Sequence, residues 1–368
     1  MLCKISLQKR KRKCKIAKES RKLKKETCKT TLANFSLVFL LPATTTTVRD
    51  SMGNSRLVVI DTDAGGDDAV AIILALAVDE VQVVAITCSY GNTDEDKVET
   101  NVLKILTVAG RSDIPVYGGA KRPLLKKYKA SEYFGKDGFG DFQFDGRLIG
   151  SIDRSKHAAI ALIELAKTYR AITNFPGEIS VVALGPLTNI ALAASLDPTF
   201  TQNVQRFYVM GSRVDELKNA KNASLEFNFS LDPEGNAIFL KEPTNLTTLV
   251  TPYDVVHSNT IDMKWRMKVL GTSDSALVQF LNKAESVVLK NIPDKWSVAD
   301  SITVATMIWP ELITESLEAH MSADLHSPLG PGSVIVEENG NSAKRNNVEI
   351  IRGLNMIGFQ EKLLRYLA

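Results

Sequence analysis

The sequence predicts an α/β protein built on a mostly parallel, Rossmann-like open sheet with helices on both faces. From residue 56 onward, short apolar runs alternate with longer amphipathic runs. This alternation is typical of parallel strands that are joined by helical crossovers. The short runs are also continuously apolar, as in VVAIT at 83–87, and strands that are covered on both sides have this composition.

The individual elements follow from the same pattern. RLVVID at 56–61 is predicted as the first strand and 67–78 as the first helix. Further elements are expected in this order: a strand at 81–87, a helix at 94–110 that Gly110 ends, a strand at 114–119, a helix at 156–170, a strand at 178–184, a helix at 186–196, a strand at 204–211, a helix near 233–241 and a strand at 245–250. A long loop is predicted at 123–150, and helices are expected to dominate from about 274 onward.

The first fifty residues differ in composition from the rest. Residues 1–29 carry thirteen Lys or Arg against two acidic residues, so we expect 1–50 to be a basic, disordered extension before one folded domain at 56–368. Residues 35–47 resemble a secretory signal, but their apolar run is too short to span a membrane. Because the basic surplus is confined to the extension, we expect neither nucleic acid nor a membrane as a partner.

Cysteine usage bears on the compartment. Three of the four cysteines lie in the extension, and Cys88 is the only one in the folded domain. A domain with one cysteine has no internal disulfide, which is typical of a reducing compartment. We therefore expect a cytoplasmic protein, with secretion through the signal-like segment as the alternative.

Four aspartates lie close together where the first strand meets the first helix. Asp61 and Asp63 follow the apolar run, Asp67 and Asp68 begin the helix, and AGG at 64–66 allows a tight turn between them. A helix start stabilises a negative charge by about 0.3–1 kcal/mol, which accounts for one capping aspartate but not for four. Oxygen-only ligands favour a hard divalent cation such as Ca²⁺ or Mg²⁺, so the sequence predicts a metal site.

The same stretch resembles a family signature. DTDAGGDD at 61–68 matches the D-x-D-x-G-x-D-D pattern of nucleoside hydrolases, the inosine–uridine-preferring nucleosidases. Further blocks that resemble this family follow in the family's order: GN at 91–92, ALGPLTNIA at 183–191, VMG at 209–211, EFNFSLDPE at 226–234, DVVH at 254–257 and ADS at 299–301. The resemblance extends through most of residues 56–368 and identifies this region as a catalytic domain.

The resemblance implies Ca²⁺-dependent hydrolysis of the N-glycosidic bond of ribonucleosides, giving ribose and a free purine or pyrimidine base. It implies that Asp63 is the general base and that the protein is a homo-oligomer, either a dimer or a tetramer. The implied Ca²⁺ ligands are Asp63, Asp68, Asp300 and the backbone carbonyl of Leu184. The residues that would hold the ribose are Asp67, Asn92, Asn222, Glu226 and Asn228. The chemistry is coherent, because carboxylates stabilise the oxocarbenium character that develops on the sugar.

Two positions depart from the family pattern. Ala299 stands where family members often have His or Trp to serve the leaving base, and Asn222 is four residues before Glu226 rather than the usual six. His257, which matches a family histidine, is therefore the candidate catalytic helper. Phe134 and Phe139 lie in a glycine-rich stretch that resembles the family's active-site lid, and they are candidates for stacking on the base.

Two alternative functions stay open. One is a catalytically silent nucleoside-binding protein of the same fold; retention of all the proposed metal ligands speaks against it, whereas Ala299 leaves it open. A haloacid-dehalogenase-like phosphatase would use Asp61 as nucleophile, Asp63 as acid and base, and Mg²⁺ as the metal, because VVIDTDAG at 58–65 imitates its strand-end motif. The phosphatase reading gives the Asp67–Asp68 pair no role.

Overall fold

A computed structural model describes residues 55–173, 178–214, 225–292, 294–338 and 344–368. The predictions for 1–50, including the signal-like segment 35–47, and for Asn222 lie outside the described residues. Among the residues that are described, no helix combines the length and the apolar character that a membrane crossing requires.

Strand and helix alternate through the first half of the fold, as predicted. The elements are β1 (Arg56–Thr62), α1 (Gly66–Ala77), β2 (Val81–Cys88), α2 (Glu95–Val108), β3 (Val116–Tyr117), β4 (Ile152–Asp153), α3 (Ala158–Thr173), β5 (Ile179–Ala183) and α4 (Thr188–Leu196). Gly110, at φ +66°, follows the end of α2, because a left-handed backbone after a helix costs glycine little. Between β3 and β4 the chain forms no helix or strand, which agrees with the predicted long loop.

The second half adds five more strands of the main sheet at one edge, a separate two-stranded sheet and several short helices. Its elements are α5 (Phe200–Asn203), β6 (Phe207–Met210), α6 (Phe227–Leu231), α7 (Pro233–Phe239), β7 (Thr248–Thr251), α8 (Tyr253–Ser258), β8 (Ile261–Asp262), α9 (Met263–Trp265), a π-helical turn (Arg266–Leu270), α10 (Ala276–Ala284), α11 (Ser286–Asn291), β9 (Lys295–Trp296), α12 (Ala299–Ile308), a 3₁₀ turn (Pro310–Leu312), β10 (Ile313–Asp324), β11 (Ser333–Glu338), β12 (Val348–Leu354) and α13 (Met356–Leu367).

The main sheet has ten strands in the order β11-β10-β12-β7-β6-β5-β1-β2-β3-β4. Every neighbouring pair from β12 to β4 is parallel, and β10 pairs antiparallel with both β11 and β12. The predicted mostly parallel sheet is thus confirmed. The chain leaves β1 toward β2 on one side and returns with β5 on the other, and ligands in open α/β sheets bind at such a reversal.

Two buried helices meet above this point. Helix α1 is apolar after its first turn, and its residues from Ala69 to Ala75 are at most 1% exposed. Helix α12 packs against α1 and is buried along its whole length. A helix that is apolar on all sides requires cover on all sides, so the two helices fix each other. Their packing brings Asp300, at the start of α12, beside the aspartates at the start of α1.

The prediction that helices dominate from about 274 onward is wrong for residues 313–354. This region forms β10, β11 and β12. Strand β10 reads ITESLEAHMSAD, and most of its side chains are exposed or half-buried. Its Leu, Glu, Ala and Met residues favour helices when no packing constraint acts. Pairing on both edges overrides that preference. Because the strand is partly solvated, its apolar alternation is too weak to indicate a strand in the sequence.

Candidate active site

The turn after β1 is shaped by hydrogen bonds from the aspartate stretch to itself. The Thr62 hydroxyl donates to the Asp68 carboxylate and accepts from the Ala64 amide at 3.0 Å. The Gly65 amide donates to Asp68 Oδ2 at 2.7 Å. These bonds hold Ala64 at φ +34°, a left-handed conformation that costs a residue with a Cβ about 1 kcal/mol or more. The turn thereby directs Asp63 and Asp67 toward the same side.

Asp61 lies beneath the site and faces away from it. Its Oδ1 accepts from Thr87 Oγ1 at 2.5 Å and from Asn189 Nδ2 at 2.9 Å. Burial raises the pKa of the Asp61 carboxyl to about 6, against the two hydrogen bonds that favour its ionised form. The geometry is that of a support between β1, β2 and α4.

A cluster of carboxylates occupies the carboxyl end of β1. Oxygens of Asp67, Asp68 and Asp300 lie within 4.8 Å of one another. Asp63 is fully buried beside them, and its Oδ2 accepts from the Asn92 amide at 2.7 Å. Its Oδ1 is buried and has no hydrogen-bond partner among the described residues. Buried polar atoms are rarely left without a partner, so this oxygen has its bonding capacity available for a ligand.

The pKa values of the cluster are raised together. Burial, followed by repulsion from neighbouring aspartates, raises the pKa values of Asp63, Asp67 and Asp300 well above the ordinary range. Burial also raises the pKa of Asp68, although hydrogen bonds from Thr62 and Gly65 oppose it. Four carboxylates in this arrangement are stable as anions only when positive charge lies among them. The cluster therefore has the charge and the oxygen donors that a hard cation requires.

Hydrogen-bonding groups from three other strand ends face the cluster. Asn92 follows β2, Leu184 follows β5, and Glu226 and Asn228 begin α6 after β6. The Glu226 carboxylate accepts from the amides of Ser212, Asn228 and Phe229 at 2.8–3.1 Å. Burial nevertheless raises its pKa to about 7. The Leu184 carbonyl accepts from Asn228 Nδ2 at 2.6 Å.

These groups enclose a cavity of about 410 Å³. Its lining contains eight of the residues predicted for the site: Asp63, Asp67, Asn92, Phe134, Leu184, Glu226, Asn228 and Asp300. Asp68 is fully buried behind the lining. The cavity has carboxylates at one end, hydrogen-bonding side chains along its wall, and aromatic rings. This combination suits a ligand with several hydroxyl groups and a flat ring.

Two predicted residues lie elsewhere. His257 is exposed on α8, and its ring stacks on Tyr253 with centroids 5.8 Å apart, outside the cavity. The earlier residue on that helix, Tyr253, lines the cavity instead. Phe139 is fully buried against Phe142 and Phe280, so it supports the loop and does not face a ligand. Ala299 does line the cavity, and no histidine is among the described residues that do.

Three further side chains that shape the cavity, those of Tyr133, Arg213 and Tyr253, were not predicted from the sequence. Tyr133 packs edge-on against Phe134 with centroids 4.8 Å apart, and the Arg213 guanidinium lies 4.8 Å from the centre of the Tyr253 ring. Only Pro252 separates Tyr253 from the end of β7. Ligand sites lie beyond the ends of such strands, so this rule indicates the region that contains Tyr253. Nothing in the sequence around Tyr133 or Arg213 distinguishes them from surface residues.

Fold and site together define a glycosyl hydrolase. Carboxylates beside hydroxyl-binding groups, at the reversal point of a parallel sheet, suit attack on a sugar–base bond. The chain belongs to the inosine-uridine preferring nucleoside hydrolase family, whose model matches residues 58–361. It is therefore an N-glycosyl hydrolase.

Individual relatives agree with this assignment and differ in the substrates that their names give. The pyrimidine-specific ribonucleoside hydrolase RihA of Citrobacter koseri is 30% identical over 318 residues, 84% of this chain and 97% of the relative. Among solved structures, an inosine-guanosine nucleoside hydrolase superposes with a TM-score of 0.76 at 26% identity, covering 85% of this chain and all of the other. The plant nucleoside hydrolase PpNRh1 superposes with a TM-score of 0.73 at 28% identity, over 85% and 98% of the two chains.

Proposed function

We propose that the protein hydrolyses the N-glycosidic bond of ribonucleosides in a Ca²⁺-dependent reaction that releases ribose and a free purine or pyrimidine base. The observation that carries the proposal is the convergence of Asp63, Asp67, Asp68 and Asp300, from two distant parts of the chain, beside a sugar-sized polar wall. A silent binding protein has no need for this concentration of buried charge, which destabilises the fold when no cation is bound.

The donor set supports Ca²⁺ as the cation. The proposed ligands are Asp63, Asp68, Asp300 and the Leu184 carbonyl, all oxygen donors, and Ca²⁺ accepts six to eight oxygens in flexible arrangements. Among the described residues, Asp63 Oδ1 has no hydrogen-bond partner, and the Leu184 carbonyl accepts from Asn228, which leaves its second lone pair for the cation. A bound Ca²⁺ supplies positive charge that makes a nearby water more acidic and attracts sugar hydroxyls.

Asp63 is the proposed general base. It accepts a proton from the attacking water while the bond between ribose and base breaks. Its Oδ2 accepts from the Asn92 amide at 2.7 Å, which leaves the lone pairs of Oδ1 for the proposed cation and for the attacking water. Gly91 contributes by lacking a side chain, because a Cβ at this position would collide with the Asp63 carboxylate.

Recognition of ribose falls to the polar wall. Asp67, Asn92, Glu226 and Asn228 are the proposed partners of the ribose hydroxyls, and Asn222 belongs to the same proposal. With a pKa near 7, Glu226 is close to balanced between an acceptor and a donor form at neutral pH. The developing positive charge on the sugar favours the ionised form, so the carboxylates also stabilise the transition state.

This chain differs from the family pattern at the residue that would serve the leaving base. Ala299 offers no proton donor. Phe134 and Tyr253 offer flat surfaces, which accept purines and pyrimidines alike. His257 stays a candidate helper only if its ring turns inward from the stack on Tyr253. We propose that turnover depends on the leaving ability of the base more than in relatives with a histidine at this position.

The proposal includes a cytoplasmic homo-oligomer, a dimer or a tetramer. Cys88, the cysteine of the folded region, is buried as a free thiol, which is compatible with a reducing compartment. Size-exclusion chromatography with light scattering measures the oligomeric state.

A reducing-sugar assay tests the function. Purified protein is incubated with inosine, adenosine, guanosine, uridine and cytidine, with added Ca²⁺ or with a chelator. We expect ribose release with Ca²⁺ and its loss with the chelator. Binding without ribose release would instead favour the silent binding protein. Phosphate release from p-nitrophenyl phosphate with Mg²⁺ would favour the phosphatase.

A further inference from the structure

Asn101 in α2 connects two parts of the active site that are far apart in the chain. Its side chain is 1% exposed. Its Nδ2 donates to the Ala64 carbonyl at 3.2 Å and to the Asp137 carbonyl at 2.9 Å, and its Oδ1 accepts from Lys104 Nζ at 3.2 Å. Each polar atom of the amide therefore has a partner, which makes the bridge specific for an amide in this orientation.

One end of the bridge is the strained residue of the aspartate turn. Ala64, at φ +34°, lies between Asp63 and Asp67. The Thr62 hydroxyl binds its amide, and Asn101 binds its carbonyl. A backbone conformation of this kind persists only where the surroundings hold it. Loss of the Asn101 bond removes the restraint on the carbonyl side of the turn.

The other end of the bridge is the stretch 134–140, which forms the cavity wall through Phe134. This stretch is fixed by further contacts. The Gly140 amide donates to the Phe134 carbonyl at 2.6 Å, and the Ser286 hydroxyl donates to the Gly140 carbonyl at 2.9 Å. Phe139 is fully buried in the core. A Cβ on Gly65 would lie 2.9 Å from the Phe134 ring, so turn and wall are in direct contact as well.

We propose that Asn101 is a positioning residue that locks the aspartate turn against a fixed wall at 134–140, so that cation affinity depends on this amide although it contacts neither cation nor ribose. The inference rests on the proposed metal centre.

The test compares two isosteric substitutions. Asn101→Asp keeps the shape but replaces the Nδ2 donor with an acceptor oxygen that faces the carbonyls of both Ala64 and Asp137. Asn347→Asp is the matched control, because Asn347 Nδ2 also bridges two carbonyls, those of Leu240 and Met321, at 2.8 and 2.9 Å. Both variants lose an amide that bridges two carbonyls, although Asn347 is only half-buried, and the control is outside the cavity lining.

Two measurements are made on both variants and on the wild type. Calorimetric titration with Ca²⁺ gives the cation affinity, and hydrogen exchange followed by mass spectrometry gives the protection of peptides spanning 60–70 and 134–141. We expect Asn101→Asp to weaken Ca²⁺ binding about 10–100-fold, the range typical for groups that orient metal ligands, and to lose protection in both peptides. Asn347→Asp should keep wild-type values in both measurements even if it melts at a lower temperature.

Each outcome decides a separate point. Wild-type Ca²⁺ affinity and wild-type protection in Asn101→Asp would overturn the inference. Equal losses in both variants would also overturn it, because the effect would then be general destabilisation. A wild type that binds no Ca²⁺ would overturn the proposed metal centre instead. The exchange pattern alone would then decide whether the turn and the wall are locked together.

Discussion

Without a bound cation, the protein should become less stable as pH rises from about 4 to about 7.5. Asp61 has a pKa of about 6 and Glu226 a pKa of about 7, and burial is the main cause of both. The ordinary values in an unfolded chain are 3.8 and 4.5. A carboxyl whose pKa is raised in the folded state binds its proton more tightly there. Its contribution to stability is complete below the unfolded pKa and is lost as pH rises through the folded pKa.

The size of the effect follows from the two raised values. Each pKa lies roughly two above its ordinary value, and one pKa unit corresponds to about 1.36 kcal/mol. Asp61 and Glu226 should therefore each lower the free energy of unfolding by about 3 kcal/mol at pH 7.5. The total is a large part of the ~5–15 kcal/mol that stabilises a typical domain. A cation present at about a thousand times its dissociation constant restores about 4 kcal/mol. The chelated protein should therefore have a low free energy of unfolding, and the cation-loaded protein should have one that is typical of a domain.

Urea unfolding followed by circular dichroism measures this dependence at about pH 5 and about pH 7.5, with chelator and with Ca²⁺. Asp61→Asn is the informative variant, because it removes one titrating carboxyl beneath the cavity without changing the lining. It should reduce the pH dependence of the chelated protein by about 3 kcal/mol. Two results would contradict the predicted effect of the buried carboxyls: a chelated wild type that is more stable at the higher pH, or an Asp61→Asn variant whose stability depends on pH as strongly as that of the wild type.

Three further predictions concern catalysis. Asp63→Asn should lower kcat for inosine and uridine by more than the roughly 10²–10⁴-fold typical of a lost general base, because it also removes the negative charge of a proposed cation ligand; near-wild-type turnover would refute the proposed mechanism. Ribonucleosides should be hydrolysed far better than their 2′-deoxy analogues, since an absent hydroxyl leaves Asp67 and Asn92 without their partner; equal kcat/KM values would contradict the hydroxyl recognition. Ala299→His should raise purine turnover, because the position lines the cavity and gains a proton donor; an unchanged ratio of purine to pyrimidine kcat would place the leaving base elsewhere.

Most of the core of the fold could be predicted from the sequence because burial leaves a strong local signal. Strands β1, β2 and β5 are buried on both faces, and their apolar runs identify them without knowledge of their neighbours. Strands β10 to β12 could not be predicted in this way. The side chains of β10 and β11 are mostly exposed or half-buried, and β12 carries half-buried polar residues beside its buried ones. Pairing with β11 and β12 is what keeps β10 extended.

The site was predictable to the extent that its residues follow motifs. Asp63, Asp67 and Asp68 belong to one visible stretch, and the resemblance to the family brought Asp300 to the same centre. Tyr253 and His257 show where local patterns fail. Both lie on α8, but which of them faces the cavity depends on the angle at which that short helix leaves β7. Sequence blocks give the order of residues along the helix and contain no information about this angle.

The packing of α1 against α12 has a consequence for biosynthesis. The two helices contribute the two halves of the carboxylate centre, and their first residues, Gly66 and Ala299, are separated by most of the folded chain. Contacts of such long sequence separation form late, because a large loop must close first. A nascent chain therefore exposes Asp63, Asp67 and Asp68 long before Asp300 has been synthesised. A chain truncated before α12 would lack Asp300, and with it one carboxylate of the proposed cation site.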